Sequence, residues 1–214
     1  MIGKIDLVIF DLDGTLVDAY GAIAGSFNFA MRRLGFPRQD NAVIRRAVGW
    51  GDRNLLRPFV GEKNAVKALR LYRRHHAIAL KKKTRFLPGA KRLLITLNKN
   101  GYQLAVASNR PTRFSNIILN HLKIRQYFDY VLCGDKLKKP KPNADILLKI
   151  LKKLSVKKGR AVYVGDMTVD ILTGKRAGVK TIAILGGSSS KKEIGALKPY
   201  RVIKNISQVW DIVR

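Results

Sequence analysis

The hydrophobic residues of this chain predict a buried strand, then a helical segment, then a regular alternation of strands and helices. Residues 4–10 are almost continuously apolar, as in a parallel strand that is covered on both faces. From residue 19 to 34 apolar side chains recur every three or four positions, which predicts an amphipathic helix. Shorter helices at 42–48 and 53–59 and a longer one at 63–82 complete a segment in which we predict no strand.

Beyond residue 88 the pattern changes to strands that alternate with helices. The predicted strands are 103–108, 130–133, 161–164 and 181–185, with an edge strand at 200–203. This order predicts an α/β fold, a Rossmann-like, doubly wound and mainly parallel sheet with right-handed crossovers. We therefore predict two domains. Residues 1–15 and 86–214 form the α/β core, and residues 16–85 form a helical cap inserted after the first strand.

Four of the predicted strands are followed by polar side chains. Because the carboxyl ends of parallel strands meet at one edge of a sheet, these side chains are expected to lie close together. Each group alone has an ordinary explanation, such as a turn, a helix cap or a solvated lysine. The polar residues after the strands are Asp11, Asp13, Thr15, Ser108, Asn109, Lys139, Asp166 and Asp170.

These four motifs, in this order, resemble those of the haloacid dehalogenase-like hydrolase superfamily. The sequence DLDGT at residues 11–15 matches the first motif of that superfamily, and Ser108 matches the second. Lys139, within KPKP, matches the third, and GDMTVD at residues 165–170 matches the fourth. The acid at position 13 favours phosphate chemistry, because the dehalogenases of the superfamily lack it.

The resemblance implies a role for each motif residue. Asp11 would be the nucleophile that becomes an aspartyl phosphate, Asp13 the general acid and base, and Lys139 the cation that neutralises charge. Mg²⁺ would be bound by Asp11, Asp166 and the backbone carbonyl of Asp13, because this ion prefers oxygen ligands. The remaining assignments are phosphate contacts for Thr15, Ser108 and Asn109, and support of a metal-bound water or of the lysine for Asp170.

Within the superfamily the chain is most similar to phosphoglycolate phosphatases. This similarity rests on residues 16–18, 34–37, 48–51 and 165–178. Pyrophosphatases and β-phosphoglucomutases share the same class of cap, so both remain alternatives to a phosphatase that acts on a small phosphorylated metabolite. We expect the cap to select the substrate, with Trp50 and Arg53 as candidates for this role. His76 is expected to pack on a helix face rather than to catalyse.

Composition adds one further hypothesis. The 214 residues include 43 Lys and Arg but only 14 Asp and Glu, a net charge of +29. Such a charge attracts polyanions at low salt, so a nucleic-acid-binding protein on a hydrolase scaffold is the alternative from another class. The single cysteine, Cys133, excludes an internal disulfide, and the sequence predicts neither a signal peptide nor a membrane span. A cytoplasmic protein fits these features, and the sequence does not indicate its oligomeric state.

Overall fold

The computed structural model describes residues 3–214, and its centre is a parallel sheet of six strands. The sheet uses all the strands except a two-stranded antiparallel ribbon formed by the second and third. The strands are β1 Leu7–Phe10, β2 Val17–Asp18, β3 Arg85–Phe86, β4 Gln103–Ser108, β5 Tyr130–Cys133, β6 Ala161–Gly165, β7 Lys180–Ile184 and β8 Arg201–Ile203. In the sheet they lie in the order β5, β4, β1, β6, β7, β8, and every neighbouring pair is parallel.

Helices cover both faces of this sheet. They are α1 Tyr20–Arg33, α2 Asn41–Ala47, α3 Asp52–Lys83, α4 Ala90–Lys99, α5 Thr112–His121, α6 Asp145–Leu154, α7 Thr168–Ala177, α8 Lys191–Ala196 and α9 Val209–Val213. Side chains of a strand alternate between the two faces. In β1, Val8 and Phe10 join the apolar cluster that includes α4, α5 and α9, whereas Leu7 and Ile9 join the cluster under α6. The predicted doubly wound, mainly parallel α/β fold is confirmed.

The helices α1, α2 and α3 have an apolar cluster of their own. It includes Phe27 and Met31 from α1, Ile44 from α2, and Leu56 and Tyr72 from α3. This cluster gives the inserted segment a separate hydrophobic core. The division into a core and a cap stays a prediction, and residues 16–85 are called the inserted segment below.

One local prediction was wrong. The inserted segment contains strand β2, which pairs with β3 so that Val17 faces Phe86 and Asp18 faces Arg85. Such a short ribbon has no periodicity to detect, because each of its strands has two residues. Helix α8 begins after β7, where Ser190 and Glu193 form a reciprocal capping box.

Helix α3 is interrupted at Gly61, where φ is 71° and ψ is 167°. The break separates the two helices that were predicted at 53–59 and 63–82. Within residues 3–214, no helix combines the length and the apolar character that a membrane span requires.

Candidate active site

Asp11 lies at the carboxyl end of β1, in the middle of the sheet. Its backbone N–H donates to the carbonyl of Val164 at 2.8 Å, which continues the pairing with β6 by one residue. Its carboxylate is buried and lines a cavity of about 60 Å³ between the sheet edge and the inserted helices. The chain therefore directs this carboxylate into an enclosed space next to the ends of β4 and β6.

The lysine of the site is Lys141, and the prediction of Lys139 was wrong. Lys139 is exposed, whereas Lys141 is buried. The Nζ atom of Lys141 donates to Oδ1 of Asp11 at 2.8 Å, to Oδ1 of Asp170 at 2.7 Å and to the hydroxyl of Tyr163 at 2.9 Å. These bonds use all three donors of the ammonium group.

Asn109 explains why Lys141 occupies this position. Its side-chain Oδ1 accepts from the backbone N–H of Lys141 at 2.9 Å, and its Nδ2 donates to the backbone carbonyl of Lys141 at 3.0 Å. The same Nδ2 also donates to the carbonyl of Gly49 in the inserted segment at 2.9 Å. The amide of Asn109 is thus engaged by backbone groups, so the predicted phosphate contact through this side chain does not fit the structure. Ser108 is buried and lines the cavity.

Asp166 follows β6 and is completely buried. Its Oδ1 accepts from the hydroxyl of Thr15 at 3.1 Å, and its Oδ2 accepts from the backbone N–H of Ser188 at 3.1 Å. A Cβ at Gly187 would overlap this carboxylate, so the close approach of the loop after β7 requires glycine there. The hydroxyl of Thr15 therefore orients Asp166 in this structure, whereas the sequence predicted that it contacts phosphate.

Asp170 lies in the first turn of α7 and is also completely buried. Its Oδ1 accepts from the hydroxyl of Tyr163 at 2.7 Å in addition to Lys141, and its Oδ2 accepts from the backbone N–H of Met167 at 3.0 Å. Asp170 was predicted to support the lysine or a metal-bound water. Its hydrogen bond with Lys141 corresponds to support of the lysine.

Three carboxylates of the site could hold a metal ion. Asp11, Asp166 and Asp170 each offer an oxygen, and these oxygens lie within 4.8 Å of one another. Three buried carboxylates beside one ammonium leave an excess of negative charge, which a divalent cation would neutralise. Such an oxygen-only set suits Mg²⁺, Ca²⁺ or Mn²⁺ better than softer metals. The residues present therefore fit a divalent metal site.

The electrostatics of the cluster reflect this crowding. Burial and the negative charge of Asp170 raise the pKa of Asp11 to about 6, against the lowering effect of Lys141. Burial, together with the charges of Asp170 and Asp11, raises the pKa of Asp166 well above its ordinary value. Burial alone would lower the pKa of Lys141, but the two neighbouring carboxylates raise it. Lys141 is therefore a permanent cation at neutral pH.

Asp13 is held by a side chain that the sequence analysis did not single out. Both carboxylate oxygens of Asp13 accept from Arg110, one from Nε and one from the terminal NH2 nitrogen, each at 2.7 Å. The other terminal nitrogen of Arg110 lies 2.6 Å from Nε2 of His76. As predicted, His76 is packed: it is fully buried, and burial and Arg110 lower its pKa to about 2.

The two candidate specificity residues of the inserted segment do not reach the cavity. The Trp50 side chain is 43% exposed, and Arg53 is exposed and paired with Glu62. The cavity walls consist of other parts of the segment, where apolar side chains and glycine backbone predominate. The lining residues from this segment are Ile23, Val48, Gly49, Gly51, Asp52, Leu55, Tyr72 and His76. Neither Trp50 nor Arg53 lines the cavity, so their predicted role in substrate selection does not fit the structure.

Comparison with known proteins identifies the family of this chain. The chain matches the family described as haloacid dehalogenase-like hydrolase over residues 8–184. A phosphoglycolate phosphatase of Pseudomonas fluorescens is 32% identical over 208 residues, which cover 94% of this chain and 76% of that protein. A phosphoglycolate phosphatase of Aquifex aeolicus is 33% identical over 181 residues, with 85% of each chain covered. These relatives confirm the predicted enzyme class, a phosphatase.

Solved structures show the same fold. A predicted phosphoglycolate phosphatase from Haemophilus somnus superposes over the whole of both chains with a TM-score of 0.93 at 24% identity. A haloacid dehalogenase superfamily hydrolase from Geobacter sulfurreducens is 25% identical, with a TM-score of 0.74 over 98% of this chain and 97% of the other. The site geometry, the matched residues and the shared fold agree: this chain belongs to the haloacid dehalogenase-like hydrolase family.

Proposed function

We propose that this phosphatase is magnesium-dependent and hydrolyses a small phosphorylated metabolite, with 2-phosphoglycolate as the leading candidate, through an aspartyl phosphate on Asp11. The observation that carries this proposal is the buried contact of Lys141 with Asp11. A phosphate monoester is an anion, so a carboxylate can approach it only where positive charge offsets the repulsion between them. Lys141 supplies that charge beside the attacking oxygen.

The reaction would run in two steps. An oxygen of Asp11 attacks phosphorus and the ester bond to the leaving oxygen breaks, while Asp13 donates a proton to that oxygen. Water then attacks the phosphorus of the aspartyl phosphate, Asp13 accepts a proton from this water, and Asp11 and inorganic phosphate are released. When bound at Asp11, Asp166 and the backbone carbonyl of Asp13, Mg²⁺ would supply positive charge that stabilises the phosphoryl oxygens. Ser108 and backbone N–H groups would donate to the phosphoryl oxygens, and the nearby positive charge of Lys141 would stabilise them.

The substrate proposal rests on the relatives and on the cavity. The curated relatives named above are phosphoglycolate phosphatases, and the cavity of about 60 Å³ suits a small ester. A net charge of +29 would accelerate the capture of an anionic substrate by long-range attraction. Retention of nucleic acid at low salt and the cytoplasmic location both stay predictions.

A substrate panel tests this proposal. Phosphate release would be measured from 2-phosphoglycolate, an aryl phosphate, pyrophosphate and β-glucose 1-phosphate, each with Mg²⁺ and with a chelator. We expect magnesium-dependent release, with the highest kcat/KM for 2-phosphoglycolate. Preferential cleavage of pyrophosphate, or conversion of β-glucose 1-phosphate to its 6-phosphate, would replace the proposal with one of the two alternatives. Absence of magnesium-dependent hydrolysis from every ester would reject it.

A further inference from the structure

Arg110 brings a second cationic side chain into the cavity. Its side chain is 7% exposed, and it lines the cavity together with Asp11 and Asp13. Among the described residues that line the cavity, the lysines and arginines are Lys141 and Arg110. Lys141 donates all three of its hydrogen bonds to Asp11, Asp170 and Tyr163. Arg110 is therefore the cation that remains for a second anionic group.

The hydrogen bonds of Arg110 leave part of its donor capacity free. A guanidinium group has five N–H donors. Three of them reach the two oxygens of Asp13 and Nε2 of His76. Within residues 3–214 the other two N–H groups of this guanidinium have no hydrogen-bond acceptor. One of these two donors lies on each terminal nitrogen, so the guanidinium can donate further hydrogen bonds to an anion.

His76 holds the guanidinium in place without neutralising it. Its Nε2 faces a donor, so Nε2 carries the lone pair and Nδ1 carries the proton, which points toward the hydroxyl of Ser26 at 3.2 Å. Ser26 in turn donates to the carbonyl of Ala22 at 2.7 Å. A neutral imidazole fixed in this way orients the terminal nitrogen of Arg110. Within residues 3–214, the carboxylate that forms an ion pair with Arg110 is that of Asp13.

The contact between Arg110 and Asp13 relates this cation to the leaving group. In the proposed reaction Asp13 reaches the ester oxygen of the substrate. In a phosphorylated 2-hydroxy acid, the carboxylate carbon is two bonds from that oxygen. A substrate whose ester oxygen lies beside Asp13 therefore brings its carboxylate next to the guanidinium that Asp13 contacts.

We propose that Arg110 binds the carboxylate of the substrate and selects phosphorylated 2-hydroxy acids over esters that lack a carboxylate. This inference rests on the proposed function and specifies its substrate class. Arg110 is then a specificity residue, which binds the substrate through its two free donors while it keeps its contact with Asp13. His76 is a positioning residue, because it acts through Arg110.

A matched pair of substrates tests the role of Arg110. Ethyl phosphate has the leaving-group carbon skeleton of 2-phosphoglycolate without the carboxylate, so the ratio of the two kcat/KM values measures recognition of that group. The wild-type ratio is expected to be about 100 or more, since a buried site built for a charged group rejects an analogue that lacks it. Arg110→Gln should lower this ratio to about 10 or less, mainly through KM for 2-phosphoglycolate, and Arg110→Lys should keep part of the preference.

Several outcomes would overturn the inference. A wild-type ratio below about 10 would do so whatever the variants show, because Arg110 then provides no discrimination. Equal losses on both substrates in Arg110→Gln would assign Arg110 to the orientation of Asp13 alone. The exposed Arg113 provides the control, and Arg113→Gln should leave the ratio unchanged. Wild-type hydrolysis of an aryl phosphate tests the proposed function separately, since it involves no carboxylate.

Discussion

Nζ of Lys141 lies 2.8 Å from Oδ1 of Asp11, whereas Lys139, two residues earlier in the same KPKP sequence, is exposed. The two lysines thus have the same local sequence and opposite environments. This relationship provides a test in which each side chain is the control for the other.

We predict that Lys141→Met lowers kcat for an aryl phosphate by about 100-fold or more, because it removes the buried cation next to the proposed nucleophile. Lys139→Met should stay within about twofold of the wild type, as expected for an exposed side chain. Steady-state kinetics with saturating Mg²⁺ provides the measurement. Thermal unfolding of both variants would show whether the unpaired carboxylates of Asp11 and Asp170 destabilise the fold. Equal effects of the two substitutions would contradict the placement of Lys141.

The two lysines also show where sequence reasoning fails. Strand positions, the sheet edge and the aspartates could be predicted, since apolar runs and motif spacing are local properties. The choice between Lys139 and Lys141 depends instead on the side chain of Asn109, which binds the backbone of Lys141 from 32 positions away. A lysine before proline has the same local pattern at both positions.

Arg110 and Trp50 are two further residues whose environment the local sequence pattern does not determine. An arginine after the second motif has the pattern of a solvated residue, and only its contacts with Asp13 and His76 give it a place in the site. Trp50 stands between two glycines that do line the cavity, yet its side chain is 43% exposed. The direction of a loop side chain follows from backbone dihedral angles, which periodicity does not determine.

A second prediction concerns metal binding and pH. The pKa of Asp11 is raised to about 6, and burial raises that of Asp166 well above its ordinary value. A raised folded-state pKa means that the protonated forms stabilise the fold at low pH, and this contribution is lost as the pH rises through about 6. At higher pH the ionised carboxylates of Asp11 and Asp166 repel each other. A cation bound between them should therefore stabilise the fold more than it does at low pH.

We therefore expect Mg²⁺ to raise the Tm more at pH 8 than at pH 5. At pH 8 the stabilisation should approach about 2.7 kcal/mol when Mg²⁺ is at 100 times its Kd. Differential scanning calorimetry of the full chain provides the measurement. Asp166→Asn should abolish the effect, and the exposed Asp40→Asn should preserve it. A shift that is equal at both pH values, or that survives Asp166→Asn, would contradict the predicted metal site.

A third prediction concerns substrate ranking. Leu55 lines the cavity and Trp50 does not. Leu55→Ala should raise kcat/KM for larger phosphate esters relative to 2-phosphoglycolate, because it enlarges the cavity. Trp50→Ala should leave the ranking as in the wild type. Ratios of kcat/KM measured on one enzyme preparation are independent of the folded fraction, which matters because Leu55 is also a core residue. A changed ranking in Trp50→Ala alone would reverse this assignment.

A fourth prediction uses His76. Its pKa is lowered by burial and by Arg110 to about 2, so the folded state excludes a proton that the unfolded state binds below about 6.5. This penalty is absent above pH 6.5 and destabilises the fold as the pH falls below that value. The stability advantage of wild type over His76→Gln should therefore shrink by about 2 kcal/mol from pH 7 to pH 5. Urea unfolding at both pH values measures it, with His121→Gln as the exposed control.

In the proposed reaction the Asp11 carboxylate attacks phosphorus. The most direct measurement is the turnover of Asp11→Asn on an aryl phosphate at saturating Mg²⁺, beside wild type and the exposed Asp40→Asn. We predict that Asp11→Asn loses at least about a thousandfold in kcat, since an amide cannot serve as the nucleophile, while Asp40→Asn matches wild type. Retention of turnover close to the wild-type value in a correctly folded Asp11→Asn protein would contradict nucleophilic attack by Asp11.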